Sequence, residues 1–125
     1  MLISIDFESD TPIYEQLKMQ IVKGIAKGEL QKGESLPSVR QMAVDVGINL
    51  HTVNKAYNIL KQEGYLNIDR RIGAVVSESM PNNTDEFKEE LNEELEYIIA
   101  DSSCRGMNKD EFLNLCSRIF DKYNI

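Results

Sequence analysis

Five residues within one short stretch, Asn49, His51, Thr52, Asn54 and Lys55, carry the groups that nucleic-acid recognition uses. Carboxamides, hydroxyls and an imidazole can donate to and accept from base edges, and an ammonium is a point charge for phosphate. Arg40 lies a little upstream, and Arg70 and Arg71 stand as a pair downstream. Such groups read a groove only when a rigid element presents them together, so the residues between and around them carry the rest of the reading.

Val39, Met42, Ala43 and Val46 recur at helical spacing and are followed by Gly47, which can take the left-handed conformation that ends a helix. Asn49 then suits the N-cap of a second helix, its side-chain oxygen accepting from an orphan backbone N–H. In that helix Val53, Ala56, Tyr57 and Leu60 must face the core, while His51, Lys55, Asn58 and Gln62 point away, flanked by Thr52, Asn54 and Lys61; Gly64 closes it. A polar outer face is what any surface helix carries, and periodicity alone does not single this one out. The short preceding helix, the glycine turn and the hydrogen-bonding groups gathered at the start of the second helix together predict a helix-turn-helix.

Beyond Gly64, Tyr65–Ile68 is strand-like, Asp69-Arg70-Arg71-Ile72-Gly73 has turn chemistry, and Ala74–Val76 returns as a second strand. Two arginines at a loop tip are often simply solvated. Beside a reading helix they are placed for phosphate or minor-groove contact.

Together these residues resemble the N-terminal winged-helix domain of the GntR family of bacterial transcriptional regulators. The resemblance rests on Thr11–Leu17, Gly28–Leu30, Lys32–Arg40, Thr52–Tyr57 and Glu63–Leu66, and spans roughly residues 10 to 77. Asn49–Tyr57 with a very short helical tail is similar to the YtrA subgroup, whose members resemble repressors that bind operators as homodimers and often control transporter genes. The resemblance implies that Arg40 meets the DNA backbone or a base, that Asn49, His51, Thr52 and Asn54 lie at the mouth of the major groove, that Lys55 sits near phosphate, and that Arg70, Arg71 and Gly73 form the wing. Many family members have arginine where this chain has Asn54, so the guanine contact that the resemblance would imply there gives way to an expected adenine contact. The wing keeps only the second of two usual glycines, Gly73.

The net charge of −7 over 125 residues argues against nucleic acid until its distribution is considered. Residues 1 to 80 carry −1 and residues 81 to 125 carry −6, whereas residues 36 to 76 hold five Lys/Arg against three Asp/Glu. With so few phosphate contacts per chain, binding would lean on dimerisation. The cysteines, Cys104 and Cys116, cannot build a disulfide framework and read as buried structural thiols. The N-terminus is acidic and its apolar part too short for a signal peptide, and no run reaches the length of a membrane span, so a cytoplasmic protein without membrane contact is expected.

Enzyme chemistry finds little support. The single histidine, His51, has no partner set, and phosphate-cradling loops, nucleophile elbows and zinc-spaced Cys/His groups are missing from the sequence. Glu89, Glu90, Glu93, Glu94 and Glu96 read as a solvated helix face rather than a metal site, and no cofactor is expected.

The remaining segments supply scaffold and assembly. Ile3, Ile5 and Phe7 alternate with polar residues and predict a short strand; Thr11 and Pro12 predict an N-cap and first helical position, and Ile13, Leu17, Ile21 and Ile25 a scaffold helix, with Lys18 and Gln20 outside. Residues 80 to 83 read as a linker between a winged-helix domain, 1 to 79, and a tail, 84 to 125. Thr84 caps a helix with an apolar seam of Phe87, Leu91, Leu95 and Ile98; after Arg105-Gly106-Met107, Asn108 with Glu111 caps another bearing Phe112, Leu115, Ile119 and Phe120. The fold class is therefore mainly α with a small β-wing and a C-terminal helical hairpin. A hairpin of this size cannot bury its own core, so it must pack on its own winged helix or on a second chain; because helix-turn-helix proteins commonly pair two readers, those two stripes predict a homodimer interface. A winged helix used for protein interaction, with the acidic tail on a basic partner, is the competing class. The tail is too small to enclose a metabolite cavity of about 300 Å³ by itself, and any effector would sit at the dimer interface or between domains.

Overall fold

The computed structural model describes residues 3–69 and 71–123. They form α1 (Ile13–Ala26), α2 (Val39–Val46), α3 (Leu50–Glu63), β1 (Leu66–Asp69), β2 (Gly73–Val76), α4 (Asp85–Cys104) and α5 (Lys109–Asp121). Two compact units divide between Pro81 and Asn82.

In the first unit α3 is the central element, packing on α1, α2 and β1. Leu17 and Ile21 of α1, Met42 and Ala43 of α2, and Val53, Ala56, Tyr57 and Leu60 of α3 meet in one core with Leu30, Leu36, Leu66, Ala74 and Val76. The apolar periodicity of all three helices is thus spent on burial. Gly47 ends α2 with φ +77° and Gly64 ends α3 with φ +93°, conformations costly for any residue with a Cβ. Ser38 starts α2 by accepting from the Gln41 N–H at 3.1 Å, a cap not read from the sequence.

The Tyr57 hydroxyl donates to the Pro37 carbonyl at 2.8 Å, tying the start of α2 to the middle of α3. Burial pushes its ionisation well above the ordinary phenol value, so its contribution is intact below that value and declines as alkali ionises the unfolded chain first. Tyr57→Phe should cost about 0.5–1.5 kcal/mol, read as a lower midpoint in urea denaturation, and should blunt the alkaline loss of stability.

Strands β1 and β2 pair antiparallel, with Leu66 opposite Val76 and Asp69 opposite Gly73. The sequence placed the first strand one residue earlier. Asp69 extends it because its Oδ1 accepts from the N–H groups of Arg71 (2.7 Å) and Ile72 (3.3 Å), folding the loop back on itself. The far edge of β2 is also covered: Gly33 donates to Val76 O, Val76 to Glu34 O, and Leu36 to Ala74 O. This pairing leaves β2 without an open edge.

The start of the chain departs from expectation. Residues 3 to 8 form no strand; Gln16 and Gln20, one turn apart on α1, take the place of a neighbouring strand. Gln16 exchanges both amide bonds with the backbone of Asp6, and Gln20 does the same with Ser4. Lys18, expected outside, pairs with Glu63 of α3 at 2.7 Å. Thr11 is not the cap either: α1 begins at Ile13 with Pro12 in the N-cap position and no side-chain cap.

In the second unit Thr84 Oγ1 accepts from Phe87 N–H and Asn108 Oδ1 from Glu111 N–H, so both helices start at their capping residues. Met107 N–H returns to Ser102 O across Gly106, closing the turn. Neither helix has a buried residue, although Phe112 and Cys116 of α5 are partly covered.

Candidate nucleic-acid interface

The core packing of α3 leaves one face open, and the chemistry sits there. His51, Asn54, Lys55, Asn58 and Gln62 are all exposed, at spacings that align them along the helix, while Thr52 is half-buried on its flank. Asn49 has a divided role. Its Oδ1 accepts from His51 N–H at 2.7 Å to cap α3, which leaves its NH₂ group as what it can offer a ligand. Asn54 is different: its amide makes no hydrogen bond among the described residues, so both its oxygen and its nitrogen are uncommitted.

Arg40 is exposed in the first turn of α2, and Arg71 is exposed in the wing loop. Among the described residues neither guanidinium has a carboxylate partner; the two ion pairs are Lys18 with Glu63 and Arg105 with Asp101. Both guanidiniums are therefore open to an anionic ligand. Arg70 lies outside the described residues. Gly73 opens β2 with φ +94°, opposite Asp69, so its role is to let the wing turn tightly. The ammonium of Lys55 rests 4.0 Å from the centroid of the Tyr14 ring.

Two residues on this side escaped the sequence reading. Leu50, first in α3, is 38% exposed beside His51, an apolar group of the kind that meets a thymine methyl. Its position directly after the cap of the reading helix is the signal that could have found it. Tyr14 offered no local signal, because only the packing of α1 on α3 brings it to Lys55.

Nothing in this arrangement suits catalysis. Among the described residues no group of His, Cys, Asp and Glu could hold a metal ion, and no helix is long and apolar enough to cross a membrane. What the first unit presents is a capped helix with an aligned polar face, a preceding helix with a free arginine, and a two-stranded wing with another.

Residues 13–76 match the family model described as "Bacterial regulatory proteins, gntR family". The HTH-type transcriptional repressor YtrA of Bacillus subtilis (strain 168) is 36% identical over 111 residues, spanning 88% of this chain and 85% of that protein. A crystal structure titled as a transcriptional antiterminator from Listeria monocytogenes EGD-e superimposes with a TM-score of 0.91 at 28% identity, covering 98% of this chain and 93% of the other. The structure of YtrA from Sulfolobus acidocaldarius, a GntR-family transcription factor, is 40% identical with a TM-score of 0.68, covering 80% of this chain and 99% of its own. The matched span runs from the first residue of α1 to the last of β2 and contains every element that builds the exposed face of α3. The chain belongs to the GntR family, and it is a YtrA-like transcriptional regulator, not an enzyme, with a DNA-binding winged helix-turn-helix.

Proposed function

We propose that the protein is a cytoplasmic repressor that binds an inverted-repeat operator as a homodimer. The observation that carries this reading is the division of α3 into a fully buried apolar side and an aligned, exposed side of His51, Asn54, Lys55, Asn58 and Gln62. In the major groove His51 and Asn54 read base edges, with Thr52 and the Asn49 NH₂ at the groove mouth. Arg40, Arg71 and the neighbouring Arg70 hold the backbone, and Gly73 shapes the wing.

The homodimer is supported by the second unit, where Phe87, Leu91, Leu95 and Ile98 of α4 and Leu115, Ile119 and Phe120 of α5 are exposed and Phe112 is half-covered. Exposed apolar stripes of this extent support an association surface for a second copy. Pairing two copies there sets two α3 helices on one duplex.

Binding of wild type and variants to a panel of duplexes selected from a random pool, over a range of salt, tests the groove assignment. His51→Ala and Asn54→Ala should relax sequence preference at particular base pairs, whereas Arg71→Ala should weaken all duplexes alike and lower the salt slope by up to about one unit. Arg40→Ala should cost about 1–3 kcal/mol of binding. A uniform loss for all four variants would place the reading surface elsewhere.

A further inference from the structure

We infer that Tyr14 is a positioning residue for the DNA interface, acting through Lys55. Lys55 stands on the exposed side of α3, but its ammonium does not float free: it lies 4.0 Å from the centroid of the Tyr14 ring, in the first turn of α1. At that distance the negative face of the ring attracts the cation, and the ring itself is half-buried and held by the α1–α3 packing. The lysine stem is among the most flexible of side chains, and ordering it is a large part of the cost of any contact it makes.

A ring offers the ammonium electrostatic attraction without accepting all of its N–H groups. The donors on the far side stay available to an anion. Tyr14 therefore fixes where the charge stands before DNA arrives, and phosphate meets a lysine already in place. It also couples α1, which carries no reading group of its own, to the groove. Among the described residues no carboxylate forms an ion pair with Lys55.

This inference rests on the reading of the α3 face as the DNA-contacting surface, and the two can fail separately. The test is a double-mutant cycle on the full chain, using a duplex that the wild-type protein selects from a random pool, combined with proton NMR of the free protein. In the free protein the ε-methylene protons of Lys55 should be shifted upfield by the ring current, a shift kept in Tyr14→Phe and lost in Tyr14→Leu. Tyr14→Leu should weaken binding about two- to fivefold, Tyr14→Phe should bind as wild type, and Tyr14→Leu should have no further effect in a Lys55→Met background. Equal weakening by Tyr14→Phe would mean that the hydroxyl acts directly, and unchanged or tighter binding by Tyr14→Leu would mean that the ring withholds the lysine; either overturns the inference while leaving the α3 reading intact. If Lys55→Met itself binds like wild type with the same salt slope, Lys55 makes no phosphate contact and both statements about it fall.

Discussion

Leu91→Asp or Ile119→Asp should turn the proposed homodimer into folded monomers and lower operator affinity by orders of magnitude. Burying one leucine is worth about 1.5–3 kcal/mol, and an uncompensated buried carboxylate costs several more. In a symmetric interface each substitution is counted twice. The monomer itself has little to lose, because Leu91 is 41% and Ile119 is 45% exposed within it. Circular dichroism should show the first unit still folded, with any loss of helix confined to the tail. Operator binding falls because the second half-site contact is no longer intramolecular, while weak half-site binding survives. Sedimentation equilibrium reads the outcome, and a folded variant that stays dimeric would move the interface to the winged helix.

Leu60→Ala should destabilise the first unit by about 2–5 kcal/mol and abolish DNA binding near the unfolding midpoint of the variant. Leu60 is fully buried in the core where α1, α2, α3 and β1 converge, so its removal leaves a cavity that no single neighbour can fill. Thermal unfolding followed by circular dichroism measures the shift. Helix α4, in the other unit, should keep its signal through that transition. The contrast with Leu91→Asp separates the two apolar surfaces of the molecule: one holds a fold together and the other is available for a second chain.

The reading helix was legible because every device that defines it is local. Gly47, the Asn49 cap, the four core positions of α3 and Gly64 all lie within a few residues of what they act on, and each took the conformation its chemistry favours. The caps Thr84 and Asn108 were readable for the same reason. What escaped depends on partners distant in sequence. Alternation in residues 3 to 8 suggests a strand but cannot say that the side chains of Gln16 and Gln20 will supply the hydrogen bonds to this segment, or that the chain turns at residues 7 and 8. The segment 33–36 has no strand pattern of its own and pairs with β2 because the edge is open to it. Pro12 displaced Thr11 from the cap by one position, since α1 begins only at Ile13.

The interface residues divide along the same line. His51, Asn54 and Lys55 could be placed on one face from spacing alone, whereas the engagement of Lys55 with Tyr14 needed the packing of two helices. The cap role of Asn49 and its proposed groove role compete for one oxygen, and that oxygen accepts from the His51 N–H in the helix cap.

Selection of duplexes from a random-sequence pool by the full wild-type chain tests the central claim most directly, because it reads DNA binding, symmetry and spacing together. The expected result is an inverted repeat whose half-sites have centres about 10 base pairs apart or a multiple of that, with retention falling steeply as salt rises. Enrichment of a motif without twofold symmetry, or no enrichment at low salt, would contradict it.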